Sequence, residues 1–207
     1  PISVLFPGGN SPVTFFNSLV NTKINWEGVS ILATDERIVP LSSNKSNTGL
    51  IQRKLLDKIQ SESKPKLNKI YPQNTNSMNE SLVFIKQYLD RNSPSIALLG
   101  IGKDGHTAGI FQKKNTSSYC YLLKNRMDPY FRITISMDYL LRIPHIIFFV
   151  FGSEKKEILG NILSKNSNKR FIATKYLIKN GLGEKSIFCD KEAAPDRFKI
   201  GESIIKI

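Results

Sequence analysis

Apolar residues recur along this chain in two alternating ways. Short, predominantly apolar runs at Ile2–Phe6, Val29–Ala33, 96–99 and 146–151 predict strands buried on both faces, because a strand with one wet face would alternate apolar with polar. Between these runs, apolar side chains return at helical spacing. Val13, Phe16, Leu19 and Val20 form one stripe behind Pro7-Gly-Gly-Asn-Ser-Pro12, with Pro12 suited to the first turn and Ser11 to the N-cap. Ile51, Leu55 and Ile59 form a second stripe, and Met78, Leu82, Ile85 and Leu89 a third. A fourth, Ile158, Leu159, Ile162 and Leu163, opens after Gly152-Ser153. Residues 132–135 read as extended, 136–142 as a short helix stopped by Pro144, and 186–189 as a last strand. Residues 61–69 read as a polar, proline-containing connection. This alternation predicts an α/β fold: a mainly parallel sheet flanked by helices on both faces, Rossmann-like. Neither a repeat nor a composition shift divides residues 1–207, so a single domain is expected.

Composition narrows the function classes. A chain of 207 residues buries an adequate core without staples, and Cys120 and Cys189 are far apart and lack metal-type spacing. That argues against a disulfide scaffold and for a reducing, cytoplasmic setting. The first residues carry no basic segment of a signal peptide, and the longest apolar run is too short to span a bilayer, so no membrane partner is expected. Lys and Arg number 30 against 17 Asp and Glu, a net charge of +13. The lysines are scattered through Asn- and Ser-rich segments without interleaved aromatics, so no nucleic acid is expected either. A basic surface also attracts phosphorylated small molecules.

The stretch Ser95-Ile-Ala-Leu-Leu-Gly-Ile-Gly-Lys-Asp-Gly-His-Thr-Ala-Gly-Ile-Phe111 carries the most chemistry. Gly100, Gly102 and Gly105 surround Lys103 and Asp104, and His106 follows where a helix is expected to begin. A helix N-terminus disfavours imidazolium, leaving a neutral ring able to take a proton, with Asp104 to orient it. Gly100-x-Gly-x-x-Gly105 formally matches a dinucleotide fingerprint, but it lies mid-chain and no acidic residue ends a following strand at ribose-binding distance. Gly8, Gly9, Asn10 and Ser11, between strand and helix, suit a phosphate held by backbone N–H groups and the helix dipole. The same four residues also fit a plain turn. Asp35-Glu36-Arg37 at a strand end suits sugar hydroxyls, a base or an anion, and equally a solvated ion-pair cluster. Arg132 and Lys155 are phosphate ligands only if the fold brings them to the first loop. His145, at a strand start, reads as structural.

Taken in order, these segments resemble the family of 6-phosphogluconolactonases and glucosamine-6-phosphate deaminases. Its Gly-Gly-Ser-Thr-Pro loop is matched by Gly8–Pro12, and its Asp-Glu-Arg-x-Val-Pro and Ser-Asn by Asp35–Pro40 and Ser46-Asn47. Leu99–Ala108 matches its Leu-Gly-x-Gly-x-Asp-Gly-His-Thr-Ala signature. Arg132-Ile-Thr134, Gly152-Ser-Glu-Lys155 and Asp190-Lys-Glu-Ala193 match its later motifs. The resemblance implies the glucosamine-6-phosphate deaminase-like fold and hydrolysis of a sugar-phosphate lactone without metal or cofactor, by a monomer or weak homo-oligomer. It implies His106 as general base with Asp104 beside it, and Arg37 positioning substrate or stabilising developing charge. Gly8, Gly9, Asn10, Ser11, Asp35, Gly102, Arg132 and Lys155 would bind the substrate. The chain departs from the family at Asn10-Ser11, at Gly109 and Gln112, and at Met127-Asp-Pro129, where a Lys/Pro-rich segment is usual. It opens on the first strand, without the family's leading hairpin and helix, so thin cover on one side of the sheet, or cover by another subunit, is expected. The deaminases place a Glu shortly after the histidine; Thr107-Ala-Gly-Ile-Phe111 has none. A sugar-phosphate sensor would be joined to a DNA-binding helix-turn-helix and could lose the histidine. This chain keeps His106 and shows no such module.

Overall fold

The computed structural model describes residues 2–9, 11–70, 77–114, 116–125, 128–164, 171–196 and the strand at 204–206. In chain order the elements are β1 (Ile2–Phe6), α1 (Ser11–Val20), β2 (Val29–Ala33), β3 (Asp35–Arg37), α2 (Asn47–Lys54), β4 (Lys66–Asn68), α3 (Met78–Arg91) and β5 (Ile96–Gly100). They continue with β6 (Cys120–Lys124), β7 (Phe131–Ile135), α4 (Met137–Leu140), β8 (His145–Val150), α5 (Lys156–Leu163), α6 (Ala173–Asn180), β9 (Glu184–Cys189) and β10 (Ile204–Lys206).

The main sheet has seven strands in the order β10-β9-β8-β5-β1-β2-β4, all parallel except β10, which runs antiparallel to β9. Leu5, Ile31, Leu32, Leu99 and Phe148 are fully buried. Helices on both faces account for this. Phe6 of β1 stacks on Phe16 of α1 at 5.6 Å, while Ser3 shares a hydrogen bond of 2.9 Å with the Tyr88 hydroxyl of α3. Positions 3 and 6 point to opposite faces of a strand, so α1 and α3 cover opposite sides. Burying Phe16 contributes about 2–3 kcal/mol.

Strand order reverses at the junction of β1 and β5. From β1 the chain steps outward through β2 to β4; from β5 it steps the other way through β8 to β9. The loops leaving these two neighbours therefore diverge, opening a crevice above their carboxyl ends.

A second sheet, β3-β7-β6, is antiparallel throughout. Thr34 joins the two: its N–H donates to Phe6 and its carbonyl accepts from Ile135. The expected long strands and the α1, α3 and α5 stripes form as read, although α1 already includes Ser11. The stripe through Ile51, Leu55 and Ile59 breaks at Leu55, where α2 tightens into a short turn, yet all three side chains are buried. Residues 61–69 contain β4, an edge strand, where a connection was expected. No helix among the described residues is long and apolar enough to cross a membrane.

Candidate active site

The crevice above β1 and β5 is a cleft of about 580 Å³, within the range that holds a sugar phosphate. Gly8, Gly9, Ser11, Asp35, Arg37, Gly102, His106, Arg132 and Lys155 all line it. Asn10 lies outside the described residues. Asp104 stands behind the His106 ring.

The histidine loop differs from its expected form: no helix begins at His106. The Gly102 N–H donates to the His106 carbonyl at 2.8 Å, the Gly105 N–H to the Gly102 carbonyl at 2.9 Å, and Thr107 bridges to Ile110. Backbone donors that a helix mouth would aim at a ligand are spent closing this ring, so the helix-dipole argument for His106 falls. Side chains replace it. His106 Nδ1 lies 2.5 Å from Asp104 Oδ1, which also accepts the His106 backbone N–H at 3.1 Å. Burial acts to raise the Asp104 carboxyl, but the His106 ring and backbone N–H outweigh it and hold it below the usual carboxylate value. An ionised Asp104 accepts a hydrogen bond from Nδ1–H and leaves Nε2 as the ring's acceptor. The geometry demands glycine twice. A Cβ on Gly102 would lie 2.1 Å from His106 Nδ1, and Gly105 has φ +81° with Ile172 Cγ2 2.5 Å from where its Cβ would be. Phe111 packs on the His106 ring at 4.4 Å between centroids.

On the opposite wall, the strand-end acids are buried and hydrogen-bonded to protein groups, not a solvated ion-pair cluster. Buried Glu36 caps α2: Oε1 accepts from the Asn47 and Arg37 N–H groups, and Oε2 from the Thr48 N–H and the Ser46 hydroxyl. Burial raises the Glu36 carboxyl above its ordinary value despite these donors. Asp35 Oδ2 accepts from Arg132 Nη1 at 3.1 Å, and Oδ1 from Asn47 Nδ2 at 3.2 Å. Asp35 thus holds a guanidinium in place at the edge of the cleft. Asp128, which sequence reasoning did not select, accepts from Arg37 Nε at 3.1 Å and Arg132 Nε at 3.0 Å, both on Oδ2.

Lys155 closes the cleft from the tight helical turn ahead of α5. The turn is pinned where the Gly152 N–H donates to Asp190 Oδ2 at 2.9 Å, which gives the Asp190 motif a structural role. Lys155 is a mostly buried residue that lines the cleft, and among the described residues its ammonium has no hydrogen bond or ion pair. Burial pulls its pKa down; Glu154 opposes this, Lys103 adds to it, and Asp104 opposes it. An ammonium that reaches the cleft without a hydrogen-bonded protein partner is suited to an anionic ligand.

Comparison with known proteins fits this geometry. Residues 1–179 match the family described as glucosamine-6-phosphate isomerases/6-phosphogluconolactonase. The chain belongs to this family. A 6-phosphogluconolactonase of Neisseria meningitidis is 31% identical over 165 residues, spanning 73% of this chain and 69% of its own. 6-Phosphogluconolactonase 3 of Saccharomyces cerevisiae is 30% identical, spanning 90% of this chain and 80% of its own. The fold is also that of the crystal structure of a 6-phosphogluconolactonase from Thermotoga maritima, with a TM-score of 0.75 at 24% identity, covering 91% of this chain and 84% of that one. Since the family description names two chemistries, membership alone does not choose between them. The cleft adds that the carboxylate paired with His106 is Asp104, ahead of it in sequence, and that Thr107 is occupied with the Gly100 carbonyl at 2.9 Å.

Proposed function

We propose that this chain hydrolyses 6-phospho-D-glucono-1,5-lactone to 6-phosphogluconate, a step of the oxidative pentose phosphate pathway. The observation that carries the reading is the oriented His106 facing a cleft that also contains the Lys155 ammonium: a base and an anion seat in one cleft. His106 Nε2 takes a proton from water as the water oxygen bonds to the lactone carbonyl carbon. The former carbonyl oxygen becomes negative, and Arg37 stabilises it. The intermediate then collapses by breaking the bond to the ring oxygen, which receives the proton from Nε2. The product acid ionises, so each turnover releases one proton to solvent.

The 6-phosphate is held by Lys155, by Arg132 and by the Gly8–Ser11 loop, anchoring the sugar away from the reacting carbonyl. Arg132 keeps a hydrogen on each terminal nitrogen free of protein partners among the described residues, so it reaches an anion without leaving Asp35 or Asp128. In this reading the enzyme acts in the cytoplasm on a small molecule, as a monomer or weak homo-oligomer, without cofactor or nucleic acid.

The test is proton release from freshly generated lactone, compared with its spontaneous hydrolysis and run beside glucosamine-6-phosphate. Acceleration with the lactone alone is expected. Release of ammonia from the amino sugar would instead support the deaminase reading, and inactivity on both would leave a binding-only protein.

A further inference from the structure

Asp128 lies in the segment that departs from the family's Lys/Pro-rich pattern, yet it organises one wall of the cleft. Its Oδ2 receives three N–H groups: Arg37 Nε, Arg132 Nε and Arg132 Nη2. Its Oδ1 receives the backbone N–H of Tyr130 at 3.1 Å, which fixes the carboxylate plane. The two arginines depend on it unequally. Arg132 has a second carboxylate, Asp35, whereas among the described residues the Arg37 guanidinium has only the Lys45 carbonyl besides Asp128. Two guanidiniums converging on one point repel each other unless an anion stands between them. Burial acts to raise the Asp128 carboxyl, but the Tyr130 N–H, Arg132 and Arg37 prevail and hold it below its ordinary value, which favours the anion.

We propose that Asp128 is a positioning residue, whose carboxylate clamps the Arg37 and Arg132 guanidiniums side by side on the cleft wall and so presents Arg37 to the reacting carbonyl. The kinetic arm of the test rests on the lactonase reading; the spectroscopic arm does not. Removing this carboxylate has two opposed consequences. The cleft gains one unit of positive charge, which favours a phosphate-bearing ligand, while Arg37 loses its geometry, which harms the transition state. The signature is therefore a split, with kcat falling and KM unchanged or lower.

Asp128→Asn tests this, because an amide must turn its NH₂ either toward the guanidiniums or toward the Tyr130 N–H. The expected result is a fall in kcat of about 10- to 100-fold without a rise in KM. Asp128→Glu keeps the charge and recovers part of the loss. In protein labelled with ¹⁵N-arginine, the Nε–H resonances of Arg37 and Arg132 exchange slowly in the parent and fast in the Asn variant, Arg37 more so. Thermal melts of each variant confirm that folded protein is being compared. Unchanged kcat, or a KM rise at constant kcat, overturns the proposal. So does an Arg37 Nε–H that stays protected in the Asn variant. If the parent itself fails on the lactone, the functional reading falls, and the exchange measurement alone still decides for or against the clamp.

Discussion

The chain has two histidines, and each stands beside a carboxylate. His145 Nδ1 lies 3.5 Å from Glu184 Oε2, and His106 Nδ1 lies 2.5 Å from Asp104 Oδ1. The pairs look alike on paper but occupy opposite ends of the sheet. His145 opens β8, opposite Ile96 at the start of β5, whereas His106 follows the carboxyl end of β5. At the amino end, His145 and Glu184 side chains are 55% and 85% exposed, so water competes for every contact. At the carboxyl end, divergent loops bring His106, Arg37, Arg132 and Lys155 together around one cleft. Residue type does not separate these histidines; the direction of a parallel sheet does.

The comparison breaks or holds most sharply on the histidines themselves. His106→Ala is expected to lower kcat by at least about 100-fold, the scale of lost general-base catalysis, and His145→Ala by less than about twofold. Comparable losses in both would abolish the distinction. Next come the carboxylates. Asp104→Asn no longer fixes the ring's tautomer and lowers kcat by about 10- to 100-fold, whereas Glu184→Gln leaves turnover unchanged.

Lys155→Met is expected to weaken 6-phosphogluconate binding by about tenfold, the scale of one charge-assisted contact, measured by calorimetry. Its pH behaviour is signed. Burial lowers the lysine pKa, so its ammonium is lost at a lower pH than in an ordinary lysine, and affinity falls as pH rises through that range. A bound phosphate stabilises the ammonium, so binding there takes up protons; Lys155→Arg removes both effects. Smallest of all, breaking the exposed His145–Glu184 pair shifts stability by less than about 0.5 kcal/mol in a denaturant titration.

The sequence displayed the buried parallel strands well, since predominantly apolar runs such as Val29–Ala33 are too short for a buried helix. It displayed the second sheet poorly. Cys120–Lys124 has no clean alternation, and its pairing with β7 comes from contacts distant in sequence. The three-residue β4 depends on β2 for its existence, and the α6 stripe was not picked out. Within the site, the glycine loops and His106 were legible as motifs, but the backbone after His106 was not, because ring closure by Gly102 and the Thr107–Ile110 bridge leaves no local signature. Asp128 was invisible for a related reason. One acid in a polar turn carries no periodic or motif signal, and it acquires meaning only when β3 and β7 lie side by side and bring Arg37 opposite Arg132.

The Gly105 carbonyl accepts both the Thr174 N–H at 3.1 Å and the Thr174 hydroxyl at 3.0 Å, a contact that spans 69 residues of sequence. The histidine loop therefore cannot be finished when the ribosome has made it. It waits for α6, the last described helix, to emerge and dock. A nascent chain cut short before α6 would hold His106 and Asp104 without the brace on the Gly105 carbonyl.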